Sequence, residues 1–479
     1  MNIAKRKLSY LAIVGALGLT ACGGGGGGAT NATQDSTVTG VITGFGSVFI
    51  DGVEYETDDS TFTIDGIAGT EDDLDVGMVI TLTGTVNPDG STGFASNIVF
   101  SNELEGVVIA NNYATDGTLN IMGQTIKVDA ATVFESKVAT ITTIDQIAAG
   151  NIVEISGHST GTGTIYATRL EVKKETKEMN DTIEVKGVVS NLNSSAQTFD
   201  LGNLTVDYSS AMLDDITNLA NGLYVEVKST QALNGSTMVA SKVELEDDGS
   251  FEHEGDDGEE MEFEGVIVSV GDDSSFVVNG QTVFYNNFTE VEHGTLNDLV
   301  VDAKVKVEGE FDSNGKLIAE EIEFKVHGEL ELSGYIDAID SAGNTITVMG
   351  NILHLGNNTI MLDERDEGVD PERYFNLADL STNDWVEVHY YYDSSTDSHI
   401  ATKFERDDDD ESSDSNWSVE GLVESIDTNT KVMVISGISI DFSAFPSFNV
   451  SVGAEVEVEG SFNGGILTAT EIEIEDLDS

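Results

Sequence analysis

The chain has 479 residues, with 21 Lys+Arg against 87 Asp+Glu and a formal net charge of −66, a field that repels phosphate backbones and so excludes nucleic acid as a partner class. Its 39% hydrophobic residues alternate in strand fashion, which excludes compositional disorder, and its single cysteine excludes both an intramolecular disulfide and a cysteine-based zinc cluster. Fifty Gly and 3 Pro, among many Thr, Val, Ile, Asn and Asp, suit short strands joined by tight turns, and the length calls for several domains.

The chain opens on a basic stretch, Lys5-Arg6-Lys7, followed by an apolar run from Leu8 to Leu19 that is too short for an ordinary membrane span. The run closes on Leu19-Thr20-Ala21-Cys22, which resembles the lipobox of bacterial lipoprotein signals at every position. The resemblance implies cleavage before Cys22, leaving residues 1–21 as signal peptide, and acylation of the Cys22 thiol and new amino group. Several acyl chains anchor firmly, at about 0.8 kcal/mol per buried CH₂. Position 23 is Gly, so the Asp that would retain a lipoprotein in the inner membrane is missing, and the expected location is the outer membrane of the cell envelope. Residues 22–36, with the glycine run Gly23 to Gly28, read as a flexible tether.

From residue 37 onward one unit recurs six times. Its first mark is an apolar residue, any residue, then Gly. These are Val38/Gly40, Leu104/Gly106, Val185/Gly187, Phe263/Gly265, Leu332/Gly334 and Val419/Gly421. Its second mark is a turn residue with apolar residues three and five places on. These are Gly77 (Ile80, Leu82), Gly150 (Val153, Ile155), Gly222 (Val225, Val227), Asp302 (Val305, Val307), Asn383 (Val386, Val388) and Gly453 (Val456, Val458). Gly, Asp and Asn are the types that tolerate left-handed turn geometry, and the apolar spacing is that of a strand with one dry face. A second Gly follows at Gly84, Gly157, Gly309 and Gly460, while Ser229 and Tyr390 break the rule in the third and fifth copies. The third mark is Ala with an apolar residue three places later, at Ala95, Ala167, Ala240, Ala319, Ala401 and Ala469, where a small residue suggests close packing.

Between the first two marks, Asp51-Gly52 and Asn279-Gly280 between apolar runs predict tight hairpins, and Thr295 to Leu299 predicts a short helical turn. Five or six short strands per unit predict an all-β chain of tandem small, partly open β-barrels of OB-like kind, since closure hides strand edges; a small sandwich is the alternative. The units run 37–101, 102–175, 181–247, 261–326, 327–406 and 416–479, with acidic linkers at 248–260 and 407–415 that self-repulsion should extend. Each unit is expected to fold by itself. The three marks resemble the bacterial domain-of-unknown-function family 5666, found in exported lipoproteins, over nearly all of residues 37 to 479. That resemblance implies no activity and no site residues.

Candidate chemistry is thin. Gly157-His-Ser159-Thr-Gly161 matches the nucleophile-elbow pattern, but the elbow needs a helix next and the alternating stretch from Thr162 is a strand, which leaves Ser159 a turn residue. Glu310-Phe-Asp312-Ser-Asn314-Gly315 with Glu321 imitates a calcium loop, yet begins with Glu and lacks flanking helices, so a hairpin turn is expected. No pair among the histidines, including His253 and His399 beside carboxylates, has zinc-ligand spacing, so neither a metal site nor a cofactor is expected. Trp385 with Tyr390, Tyr391 and Tyr392 offers either a sugar-stacking face or, more simply, a core Trp and a tyrosine-covered sheet. The expected function is that of a non-catalytic, membrane-anchored envelope lipoprotein whose domains serve as scaffold, spacer or adhesion modules. The alternative is a ligand-binding lipoprotein for calcium, carbohydrate or a cationic partner. The partner classes that stand are the membrane through Cys22, another protein and weakly bound divalent cations.

Overall fold

A computed structural model describes residues 35–88, 90–246, 260–325, 330–365, 374–393, 396–407 and 417–475. Cys22, the signal stretch, the tether up to residue 34, His253 and nearly all of both acidic linkers lie outside the described residues.

Six small β-barrels follow one another. In the sixth, the first strand (Trp417–Asp427) pairs antiparallel with the second (Val432–Ile435), which pairs with the third (Ile438–Asp441). The third lies parallel to the fifth (Ile466–Glu475), the fifth antiparallel to the fourth (Glu455–Asn463), and the fourth returns to the first. The ring therefore closes on itself, going further than the partly open barrel expected. Barrels 1, 2, 4 and 5 close by the same five pairings. In the third barrel the last strand is broken into Thr237–Val239 and Lys242–Leu245, which belong to different sheets.

The recurring marks are the devices that close the ring. The six turn residues all have left-handed backbone, with φ from 73° at Asn383 to 102° at Gly150. The apolar pairs after them point into the barrels and are buried. The second Gly sits on a β-bulge opposite the repeat alanine, as Gly84 faces Ala95, Gly157 Ala167, Gly309 Ala319 and Gly460 Ala469. A Cβ on Gly460 would stand 2.1 Å from the Thr468 carbonyl oxygen. Barrel 5 keeps the bulge and turns Tyr390 into the core, where it is fully buried. Barrel 3, with Ser229, has no such bulge, and there the last strand breaks. Gly460→Val is expected to cost about 3 kcal/mol, because a carbonyl cannot swing aside as a side chain can. Gly464→Ala, in open space with φ 62°, should cost about 1 kcal/mol. The shift in urea midpoint measures both.

One recurring contact escapes the three marks. A hydroxyl below the third strand donates to the alanine carbonyl in four barrels: Ser60 to Ala95 (2.8 Å), Thr132 to Ala167 (2.8 Å), Thr289 to Ala319 (2.7 Å) and Thr359 to Ala401 (2.8 Å). It satisfies a buried carbonyl beside the bulge.

The first strand of barrels 1, 2, 4, 5 and 6 changes partner partway, and in barrel 3 it is split into Ile183–Val188 and Ser190–Asn193, which belong to different sheets. The second half pairs with the barrel's own second strand after an irregularity in register, which leaves the same edge of the first half open. A neighbouring barrel covers that edge. Glu105 and Leu104 of barrel 2 pair antiparallel with Glu184 and Val185 of barrel 3, and residues 331–333 of barrel 5 pair with 418–420 of barrel 6. Barrel 1 reaches past two barrels, its residues 36–39 running parallel to 260–263 of barrel 4. The expectation of independent units is revised accordingly: barrels 2 and 3 share one hydrophobic core, and so do barrels 5 and 6.

Candidate functional site

The parallel seam between barrels 1 and 4 opens onto a cavity of about 200 Å³, walled by barrels 1, 2, 4 and 5. Apolar side chains such as Val41, Ile360 and Ala401 form much of the wall, and a buried charge cluster forms one side. Asp51 opens the left-handed turn Asp51-Gly52 between the second and third strands of barrel 1 (φ 48° and 80°). Glu264 lies on the first strand of barrel 4, and Lys325 directly follows its fifth strand. The Lys325 ammonium donates to Asp51 Oδ1 (2.7 Å) and pairs with Glu264 Oε1 (2.6 Å), while Glu264 Oε2 accepts from the Val41 amide (3.2 Å).

The two carboxyls titrate far apart. Burial works against the Asp51 anion, but Lys325 and Lys306 outweigh it and hold its pKa at about 2. Burial raises Glu264 and the Asp51 charge adds to it, so that its pKa reaches about 7 despite Lys325. Asp51 Oδ2 is buried and accepts no hydrogen bond from an N–H or hydroxyl. When Glu264 carries its proton, that proton can supply the missing donor. Two barrels are joined through Lys325.

Other polar contacts lock the remaining walls. Thr43 Oγ1 donates to the Asn357 carbonyl and Asn357 Nδ2 to the Gly52 carbonyl, both at 2.9 Å, tying barrel 1 to barrel 5. Lys304 of barrel 4 pairs with Asp129 of barrel 2, and His293 meets Tyr391 edge-on at 5.8 Å between barrels 4 and 5. Arg169 of barrel 2, almost wholly buried, donates to the Val76 carbonyl of barrel 1 (3.1 Å) and pairs with Asp75 (3.3 Å) and Glu135. The cavity is thus framed by ion pairs that cross barrel boundaries. Its carboxyl pair is engaged by Lys325 and the backbone, and the arrangement is that of a joint.

The residues singled out by sequence sit elsewhere. Ser159 ends a strand (Ile152–Ser159), accepts from the Gly161 amide at 3.1 Å, and is followed by the strand Thr164–Lys174, so no elbow forms. Asp312 Oδ1 is used by the amides of Asn314 (2.8 Å) and Lys316 (2.9 Å) in a hairpin between two strands, as expected. The aromatic expectation is corrected at Trp385, which lies at the seam between barrels 5 and 6. It packs edge-on against Tyr335 (4.9 Å) and Trp417 (5.7 Å), while Tyr390 takes the core position. Tyr391 lines the cavity, and only Tyr392 of the three tyrosines is largely exposed. His399 meets both Tyr390 and Tyr392 edge-on. Sequence reasoning missed the Asp51–Lys325–Glu264 joint. The one available signal was Asp51 in the hairpin turn, and nothing local marks its partners.

Closed five-stranded barrels with a parallel third-to-fifth pairing, repeated in tandem, define a multi-barrel β-protein. The chain belongs to the family described as Domain of unknown function (DUF5666), whose profile matches residues 105–171, 186–244, 264–323, 333–405 and 409–473. Barrel 1 lies outside those segments and has the same ring of pairings. No curated protein matches the chain. Among solved structures it is similar to one titled "drosophila Unr CSD456", at 15% identity over 46% of this chain and 95% of that one, with a TM-score of 0.12.

Proposed function

We propose that the protein is a non-catalytic lipoprotein of the cell envelope, held to the membrane by acylated Cys22, whose barrels form a load-bearing scaffold that displays an acidic surface to partners. The observation that carries the scaffold reading is the pairing of first strands between barrels, which makes a continuous sheet across each seam and, for barrels 2 with 3 and 5 with 6, one shared core. Such joints resist bending far better than linkers do, because a change of angle breaks backbone hydrogen bonds. The anchoring reading rests on the Leu19-Thr20-Ala21-Cys22 stretch.

Two measurements test this. Cys22→Ser should abolish lipid labelling and move the protein out of the membrane fraction; persistent labelling would refute the anchor. Small-angle scattering of the mature chain should give a maximum dimension that changes little between about 0.01 and 0.5 M salt, where the Debye length falls from roughly 30 Å to a few ångströms. Thermal stability should nonetheless rise with salt as repulsion within the −66 charge is screened, and calcium should act at lower concentration than sodium. A large salt-dependent contraction would mean separately moving barrels and would overturn the scaffold reading.

A further inference from the structure

On the outer face of the sheet joining barrels 5 and 6, strand register assembles a group that no sequence spacing announces. His389, on the fourth strand of barrel 5, stands opposite Glu331 on the first strand, and Glu387 shares the face two residues earlier. Imidazole Nε2 lies 3.3 Å from Glu387 Oε1, and Nδ1 lies 3.9 Å from Glu331 Oε2. One ligand atom from each residue falls within 4.8 Å of the other two. The side chains of Glu331 and His389 are 17% and 12% exposed and that of Glu387 is 43% exposed, so the group is walled by protein and open to water on one side.

The repeats provide an internal comparison. Counted from the repeat marks, Glu184, Glu226 and Lys228 of barrel 3 hold the places of Glu331, Glu387 and His389. There the Lys228 ammonium bridges Glu184 (2.8 Å) and Glu226 (2.9 Å). In barrel 4 the same places hold Glu262, Lys306 and Glu308, with Lys306 at 3.5 and 2.8 Å from the two carboxylates. In barrels 3 and 4 the position is thus built around a cation that the chain supplies itself, whereas barrels 1, 2 and 6 place no lysine there. Of barrels 3, 4 and 5, only barrel 5 puts an imidazole there, whose lone pair, once its proton leaves, can hold a metal ion in the proton's stead.

We propose that Glu331, Glu387 and His389 form a binding site for a divalent transition-metal ion of the zinc class, with water completing its coordination. One imidazole nitrogen and two carboxylates are a donor set for zinc and its neighbours, whereas calcium prefers oxygen alone. Metal–ligand bonds of about 2.0–2.2 Å in a tetrahedron put ligand atoms roughly 3.3 Å apart. The Nε2–Glu387 pair already meets that spacing; Glu331 lies nearest the other ring nitrogen, with a ligand atom within 4.8 Å of the other two, and has to close on the ion as it binds. Lys403, across from His389, is engaged by Glu405 (2.9 Å) and the Thr132 carbonyl (3.4 Å). Glu420, across the seam from Glu331, and Glu457 beyond it add negative potential. The ion binds imidazole and carboxylate in their deprotonated forms, so it competes with protons and binding strengthens with pH. The proposal does not rest on the scaffold reading.

The test uses the whole mature chain with zinc followed by calorimetry and cobalt(II) followed by visible absorption. One saturable equivalent is expected at pH 7.5, with affinity at least about tenfold weaker at pH 6. Glu387→Gln and His389→Lys should each weaken it about tenfold or more. His389→Lys reproduces the barrel 3 arrangement, so its circular dichroism and metal-free melting temperature should match the parent chain. Absence of saturable uptake, equal uptake by His389→Lys, or affinity independent of pH would each overturn the proposal, the second by showing general adsorption to the acidic surface.

Discussion

Lowering the pH from 8 to 5 is expected to stabilise the protein, against the habit of most globular proteins. Burial raises the pKa of Glu154 and Glu264 to about 7 and of Glu262 and Glu331 to about 8, from an ordinary 4.5. Between pH 4.5 and those values the folded chain holds protons that the unfolded chain has released. Stability then falls as pH rises, by 1.36 kcal/mol per pH unit for each extra proton held. Four mostly buried groups with neighbouring lysines, discounted for solvent screening, give a gain on the order of 5 kcal/mol at pH 5 over pH 8. His389 works in the same direction, since a raised histidine pKa gives stability at low pH that is lost as pH rises through the folded value. Asp51 and Asp363 act oppositely. Each is held near pKa 2 against the cost of burial, Asp51 by Lys325 and Asp363 by Arg365 and Arg406. Their contribution is present above pH 4 and is lost as pH falls toward 2. The expected profile of melting temperature is a maximum between pH 4.5 and 6. A melting temperature that rises steadily from pH 5 to 8 would contradict it.

Lys325→Met should be among the most damaging single substitutions in the chain. It leaves Asp51 charged in a nearly closed site, with Glu264 beside it and the ammonium gone. Breaking a buried ion pair from one side costs about 3–5 kcal/mol, most of it the uncompensated charge. The loss should be smaller at pH 5, where Glu264 is protonated and one anion remains, than at pH 8, where there are two. Adding Asp51→Asn to Lys325→Met should recover a large part of the loss, a coupling that a double-mutant cycle in urea would measure. Damage independent of pH and unrelieved by Asp51→Asn would show that Lys325 acts through packing alone.

What the sequence disclosed was what repeats locally. Gly77, Asp302 and Asn383 were legible as one position because left-handed backbone admits few residue types. Val456 and Val458 were legible because a strand with one dry face alternates. The turns Met122-Gly123 and Met349-Gly350 have the same left-handed geometry as Asp51-Gly52, but methionine carries no turn signal. Trp385 was misplaced although alternation with the buried Val386, Val388 and Tyr390 already puts it on the other face of the strand; what covers it is Trp417 of barrel 6, across a seam that local sequence does not announce. The joint of Asp51, Glu264 and Lys325 and the group of Glu331, Glu387 and His389 were invisible for a different reason. Pairing between distant strands assembles them, and in a chain so rich in carboxylates no single Glu stands out.

The way first strands meet imposes an arithmetic of parity. Each barrel carries one open half-edge, and the six are consumed two by two, 1 with 4, 2 with 3 and 5 with 6. Loss or gain of a single barrel leaves an odd edge with unsatisfied amides and carbonyls, the template on which β-proteins join to one another. Two such chains would meet edge to edge, becoming a dimer through a defect and not through a designed interface. Arrays of this architecture can therefore grow or shrink without consequence only in twos, and the natural unit of duplication is the couple.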